Sequence, residues 1–306
     1  MRIVFWGTPA PALPALEALL SAPDIAVAAV VTNPDRPSGR GHKLTPPPVK
    51  RVAAHVGVPV WQPDKPRALA DELAALAPDA CAVVAYGAIL PQAVLDTGGK
   101  GFVNLHFSLL PAWRGAAPVA HTILAGDTRT GVTCFVLEAG MDSGPILLTA
   151  ETEVGPRETA GELTTRLAEL GAPVLVDALR GLVAGTLEPR PQDHAQATYA
   201  AKLTPDHARL DWRESAVAVD RAVRAFNPVP GAHTTFAGQR LKIHRGLPVA
   251  GAGTPGTVVR SDEAGPVVAC GEGALRLDEV QPAGKARMSG PDFVNGYRPL
   301  GSRLGA

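Results

Sequence analysis

The 306-residue sequence predicts an α/β domain with a mostly parallel sheet, followed by a small all-β domain. Three observations predict it. In the first half, short runs that are apolar throughout alternate with segments apolar at helical spacing, and strands apolar on both faces belong to a parallel sheet covered on both sides. After Val183 the composition changes, through a Pro- and Gln-containing stretch at 185–198, to short alternating runs separated by turn residues, as in small barrels. The charge balance reverses as well. Residues 1–189 carry 14 Lys+Arg against 18 Asp+Glu, and residues 190–306 carry 15 against 11.

Residues 3–6 are an apolar strand, and 9–20 place Leu13, Leu16, Leu19 and Leu20 at helical spacing. Residues 27–31 read as a second buried strand, 49–55 as a helix and 58–61 as a short strand. A helix at 69–76 and a strand at 80–85 follow. Residues 102–106 alternate Phe102, Asn104 and His106 with Val103 and Leu105, so the amide and the imidazole share one face of a strand. Leu109, Leu110 and Pro111 end it, because proline offers no N–H to a ladder. Residues 116–124 predict a helix with Pro118 near its start, 131–137 a strand, and 138–144 a tight, glycine-bounded loop carrying Asp142. Leu163, Leu167, Leu170, Val174, Ala178 and Leu182 mark a long helix over 159–183, expected to be disturbed at Pro173.

The expected domains are residues 1–187, a linker at 188–205, and 206–306. The last opens with a helix carrying Val217, Val219, Val223 and Phe226. Its runs at 232–236, 240–245, 256–260, 266–269 and 274–280 predict a closed, OB-like β-barrel. Residues 33–48 are polar, basic and rich in Gly and Pro, and read as a loop. A loop of that length is either a solvated connection or a functional arm.

Several functions are excluded. The first strand is followed by Thr8-Pro9-Ala10-Pro11 rather than a Gly-x-Gly-x-x-Gly turn, and there is no P-loop, so neither NAD nor another nucleotide cofactor is expected. No apolar run approaches the roughly 18 residues that span a bilayer. Cys81, Cys134 and Cys270 are far apart, two of them in apolar runs, which predicts buried reduced thiols rather than a disulfide or metal site. A cytoplasmic protein without a metal or an obligate protein partner is expected. Lys+Arg equal Asp+Glu at 29 each, so no bulk charge announces a polyanion. The +4 balance of the second part points weakly to an anion facing that side.

Asn104-Leu105-His106-Phe107-Ser108-Leu109-Leu110-Pro111, followed by Trp113-Arg114-Gly115-Ala116-Ala117-Pro118 and by Met141-Asp142-Ser143-Gly144, resembles the folate-dependent formyltransferases. Agreement extends over nearly the whole chain, including Val4-Phe5-Trp6-Gly7-Thr8-Pro9, Pro34-Asp35-Arg36-Pro37, Ala225-Phe226-Asn227-Pro228 and Gln281-Pro282-Ala283-Gly284-Lys285. The resemblance implies a Rossmann-like formyltransferase fold and formyl transfer from 10-formyltetrahydrofolate by direct attack of a substrate amine. It implies Asn104, His106 and Asp142 as the catalytic set. The chemistry suits them: an amide N–H and a ring N–H can stabilise the oxygen that gains charge, and Asp142 can take the amine's proton or orient His106. It further implies a folate pocket lined by Ser108, Leu109, Leu110 and Pro111 and by Tyr86, Gly87 and Leu90, although Tyr86 alone reads equally well as an ordinary strand-end tyrosine. Phe107 occupies a position often held by Gly or Pro in the family. Because its side chain should alternate away from Asn104 and His106, it is expected to affect packing.

The expected acceptor is the free amine of initiator methionyl-tRNA, contacted through Arg36, Arg40 and Lys43; a sugar-nucleotide amine is the alternative. The loop and the basic second domain favour the RNA, since phosphate contacts position an acceptor end. Deleting residues 36–43, or Arg40→Ala, should therefore impair use of the RNA acceptor far more than folate binding. Equal losses for both substrates, in parallel binding measurements, would make the segment structural.

Overall fold

The computed structural model describes residues 1–38 and 43–305, with Ser38 and Lys43 described by their backbone alone. In chain order the first part contains β1 (Arg2–Gly7), α1 (Leu13–Ser21), β2 (Ala26–Val31), β3 (Arg36–Ser38), β4 (Lys43–Thr45), α2 (Pro48–His55), β5 (Val60–Trp61), α3 (Ala70–Leu76), β6 (Ala80–Val84), α4 (Gln92–Leu95) and β7 (Phe102–His106). Then come β8 (Arg114–Gly115), α5 (Pro118–Ala125), β9 (Arg129–Val136), β10 (Ile146–Glu153), α6 (Ala160–Ala184) and β11 (Tyr199–Ala200). The remainder holds α7 (Ala216–Ala225), β12 (His233–Phe236), β13 (Gln239–Val249), β14 (Val258–Asp262), β15 (Gly265–Ala269), β16 (Ala274–Pro282), β17 (Met288–Ser289) and α8 (Gly290–Tyr297).

The chain divides into two compact units. The first comprises residues 1–118, 129–153 and 164–200, and the second 119–128, 154–163 and 201–306. The first unit is built on a seven-stranded sheet in the order β10-β9-β7-β6-β1-β2-β5. Its five strands from β7 to β5 pair in parallel, while β9 and β10 join antiparallel. Ile3, Val4, Phe5 and Trp6 are all completely buried, as expected of a central strand with both faces covered. Trp6 is met edge-on by Tyr86 at 5.1 Å and by Phe102 at 5.7 Å, a favourable arrangement of ring quadrupoles.

Three expectations need correction. The basic segment at 33–48 is not wholly loop: Arg36, Pro37 and Ser38 pair antiparallel with Thr45, Leu44 and Lys43. With one apolar residue between them, these two strands leave no hydrophobic pattern to read. The Lys50 ammonium anchors the base of the hairpin on Asp35 at 2.8 Å and on Gln62 at 2.6 Å. Its tip, including Arg40, lies outside the described residues. Strand β10 was not expected, because only Leu147 of its 8 residues is buried while Thr149, Glu151 and Glu153 are exposed, so it lacks the apolar run that marks the other strands of this sheet. Finally, α6 runs unbroken through Pro173 for 25 residues.

The second unit is an antiparallel sheet in the order β12-β13-β16-β15-β14, with β17 on β16. Among the described residues its ladders run from β12 to β14, with no pair between those two ends, as in a partly open barrel. Val223, Phe226, Leu241, Ile243, Leu277 and Phe293 form part of its buried core. No helix among the described residues is long and apolar enough to cross a membrane. All three cysteines are free and buried, and burial pushes the Cys81 thiol up to about 12 and the Cys270 thiol up to about 11.

The underside of β7 is set by a close approach. A Cβ on Gly171 of α6 would lie 2.7 Å from Leu105 Cδ1, and Leu105 is itself buried, with nowhere to move. Gly171→Val should thus overpack this contact and cost about 2 kcal/mol. Chemical denaturation should show a lowered midpoint; an unchanged midpoint would mean that α6 can shift away from β7.

Candidate active site

Strand β7 lies where pairing switches from parallel to antiparallel. Asn104 sits beside Val83 of β6 on one side, and His106 beside Thr133 of β9 on the other. A crevice lies beyond the carboxyl ends of β6 and β7, the usual place for a ligand in an open α/β sheet. A cavity of about 710 Å³ occupies it, and Asn104, His106 and Asp142 all line it. Exposed Ile89 and Met141 border the same cavity.

His106 is 6 % exposed, and its Nε2 lies 2.9 Å from the Trp113 carbonyl oxygen. A carbonyl can only accept, so Nε2 carries the hydrogen and donates it. That leaves Nδ1 as the unprotonated nitrogen of the neutral ring, 3.8 Å from Asp142 Oδ2. This is too long for a hydrogen bond but close enough for a charge on the ring to be felt. Burial lowers the His106 pKa below its usual value, opposed by the Asp142 charge and by the bond to Trp113. The ring is consequently neutral at pH 7, with a free base at Nδ1.

Asp142 is held from two directions. Its Oδ2 accepts the Gly115 N–H at 2.7 Å, and its backbone adopts φ +48°, a left-handed conformation that costs a non-glycine residue about 1 kcal/mol. The Gln192 amide stabilises that turn by donating to the carbonyls of Asp142 at 2.9 Å and Gly144 at 2.7 Å. Gly144 is required here, since a Cβ would lie 1.9 Å from the Val136 carbonyl oxygen. Gln192 in turn accepts from the buried Arg114 guanidinium at 3.1 and 2.6 Å. Neither Gln192 nor Arg114 was picked out from the sequence as a site residue. Gln192 sits in the stretch read as a linker, 50 residues after Asp142, with no pattern to mark it.

The Asn104 carboxamide makes no hydrogen bond among the described residues, which leaves its donors free to face the cavity. Gly87, Leu90 and Phe107 line the cavity wall. Phe107 does not alternate away, because β7 ends one residue earlier at His106. Tyr86 lines the cavity too, but its side chain is only 3 % exposed and packs on Trp6. The structure does not bring Ser108, Leu109, Leu110 and Pro111 to this cavity. Instead Ser108 donates to the Ala112 carbonyl at 2.6 Å and accepts from Thr133 at 2.7 Å, while the Leu110 N–H donates to Thr133 at 3.0 Å. These bonds shape the turn that delivers the Trp113 carbonyl to His106. Arg36 is exposed on β3, Lys43 is placed by its backbone in β4, and Arg40 is not described.

An α/β sheet with a buried, neutral imidazole, a free amide and a carboxylate around one crevice suits acyl-group transfer to a substrate amine. The chain belongs to the formyl transferase family: the family's formyl transferase domain matches residues 1–179 and its C-terminal domain residues 202–298. A methionyl-tRNA formyltransferase of Pseudomonas fluorescens is 50 % identical over 311 residues, spanning 100 % of this chain and 98 % of the relative. Another, of Frankia casuarinae, is 47 % identical over 327 residues, with 100 % and 97 % covered. Among solved structures, WlaRD, described as a sugar 3N-formyl transferase, superimposes with a TM-score of 0.68 at 16 % identity, covering 94 % of this chain and 99 % of that one. HypX of Aquifex aeolicus gives 0.68 at 19 % identity over 97 % of this chain, which spans 48 % of the HypX chain. At these identities the structural likenesses speak for the fold alone.

Asp142→Asn removes the charge that raises the His106 pKa, so His106 should titrate at still lower pH. An NMR titration of the ring carbons tests this. A pKa that stayed in place or rose would show that Asp142 does not act on His106.

Proposed function

We propose that this chain transfers the formyl group of 10-formyltetrahydrofolate to the free amine of initiator methionyl-tRNA, in the cytoplasm. The observation that carries the reading is one cavity on which the unpartnered Asn104 amide, the free Nδ1 of His106 and the Asp142 carboxylate converge. The cavity volume suits a small-molecule site, and its wall at Gly87–Leu90 follows a strand end where backbone groups are available to a flat heterocycle. When bound, the folate supplies the formyl carbonyl. Asn104 donates to the carbonyl oxygen as it gains charge, and His106 Nδ1 accepts the proton that the attacking amine sheds. The imidazolium formed is stabilised by Asp142 at 3.8 Å, and its proton would pass to the folate nitrogen as the bond between that nitrogen and the formyl carbon breaks. His106 acts as acceptor rather than oxyanion donor, because its one N–H is already committed to Trp113.

Support for an RNA acceptor comes from the second unit. Arg157, Arg213, Arg224, Arg245, Arg260 and Arg276 each pair with a carboxylate. Arg209, Arg240 and Lys242 form no such pair among the described residues, and they lie together. His233 of β12 bridges to Arg209 on one side and pairs with Lys242 of β13 on the other. Arg240 Nη2 lies 3.0 Å from His233 Nδ1. Burial lowers the His233 pKa, opposed by its contact with the Gly231 carbonyl; Arg240 and Arg209 lower it further and Asp206 raises it. Cations left unneutralised side by side suit a phosphate backbone.

The test is a formylation assay with methionyl-tRNA and with sugar-nucleotide amines, using wild-type protein and the variants Asn104→Ala, His106→Ala and Asp142→Ala. The RNA should be the substrate, and each variant should lose on the order of 100-fold or more in kcat while remaining folded. Arg209→Ala/Arg240→Ala/Lys242→Ala should instead weaken RNA binding and flatten its dependence on salt. Turnover of sugar nucleotides alone would overturn the acceptor assignment.

A further inference from the structure

Gln192 is 6 % exposed, and all of its hydrogen-bonding capacity is used. Both amide hydrogens go to the loop that carries Asp142, at the carbonyls of Asp142 and Gly144. The amide oxygen accepts Nε and Nη2 of Arg114. The orientation is unambiguous, because the opposite flip would set the amide oxygen against two carbonyls and the NH₂ against a guanidinium. Arg114 is 3 % exposed and has no carboxylate partner among the described residues; its remaining bond is to His194 Nδ1 at 3.1 Å. A buried guanidinium met only by neutral acceptors is a costly arrangement that packing alone does not require.

The two residues also converge on one target. Arg114 and Gly115 form β8, and Gly115 donates to the Asp142 carboxylate while Arg114, through Gln192, holds the Asp142 backbone. β8 is itself fixed by its ladder to β11 and by Trp113 and Arg114, whose N–H groups donate to Thr198 Oγ1 and the Thr198 carbonyl, both at 2.9 Å. One short strand thus supports both ends of Asp142, and supplies the neighbouring carbonyl of Trp113 to His106.

Resting on the formyl-transfer reading, we infer that Gln192, oriented by Arg114, is a positioning residue that keeps Asp142 in its left-handed turn beside His106, and that formyl transfer depends on it. Gln192 touches no substrate. Its removal lets the loop relax, separates the Asp142 carboxylate from His106, and leaves the imidazolium formed during transfer without its counter-charge.

Gln192→Glu is the decisive variant. A glutamate keeps the size and strengthens the pairing with Arg114, so the protein should fold, but it has no N–H for the Asp142 and Gly144 carbonyls. Its kcat should fall by roughly 10-fold or more, with KM for the folate donor changed by less than about 3-fold and the acid limb of the pH profile moved to lower pH. Gln192→Ala should behave alike. In an Asp142→Ala background, Gln192→Glu should add less than about 2-fold, since it acts only through Asp142. A Gln192→Glu enzyme with wild-type kcat and pH profile, or a loss that multiplies fully with that of Asp142→Ala, would overturn the inference and leave Gln192 as packing for Arg114. Failure of the wild-type protein to formylate methionyl-tRNA would overturn the functional reading instead, so the two outcomes are separable.

Discussion

The hydrogen bond from His106 Nε2 to the Trp113 carbonyl is the interaction on which the site depends. It settles which ring nitrogen is free, and hence which atom can receive a proton. The carbonyl must be presented from outside β7, and the segment that presents it is constrained throughout. Trp113 takes a left-handed φ of +61°, tolerated by a non-glycine residue only where its surroundings over-determine it. Thr133, Ser108 and Thr198 provide that restraint. The motif Ser108–Pro111 accordingly acts as a support for the imidazole in this structure, whatever else it meets when substrates are present.

The electrostatics follow from the same geometry. A buried imidazole next to a carboxylate is pulled in opposite directions, and desolvation is the larger effect here. The resting state therefore holds one negative charge at the site, on Asp142, together with a neutral base. Moving a proton onto Nδ1 creates an ion pair where a lone anion stood, in a setting poorer in water than bulk, where a 3.8 Å separation counts for more.

Much of this is legible in the sequence, and what is not has identifiable causes. The buried strands show as unbroken apolar runs, and β7 declares its polar face because Asn104 and His106 interrupt an otherwise apolar pattern at a spacing of two. Asp142 is marked by its flanking Gly140 and Gly144. Gln192 carries no such mark: its environment is made by backbone carbonyls 48 and 50 residues away, and carbonyls have no sequence signature. The β3–β4 hairpin and β10 were hidden for a related reason. Each is held by ladder bonds at an exposed edge, where side chains are free to be polar. Phe107 was misplaced because alternation was extended one residue beyond the end of its strand.

The proposed catalytic set does not by itself choose an acceptor, since any primary amine brought to His106 would satisfy it. The choice lies in surfaces that take no part in the chemistry. A small sugar nucleotide carries two phosphates and is matched by a few cations near the reacting centre, with nothing to select for unneutralised charge elsewhere in the fold. An RNA acceptor presents phosphates at intervals along its length, and each contact adds a releasable counterion. The distribution of charge in the second unit fits the latter. Most of its arginines are neutralised by a nearby Asp or Glu, whereas Arg209 and Arg240 stand beside His233 and lower its pKa, with Lys242 paired to His233 across the β12–β13 ladder. Such a group offers several positive charges to one extended anion. An extended polyphosphate is the acceptor that gives this surface a purpose.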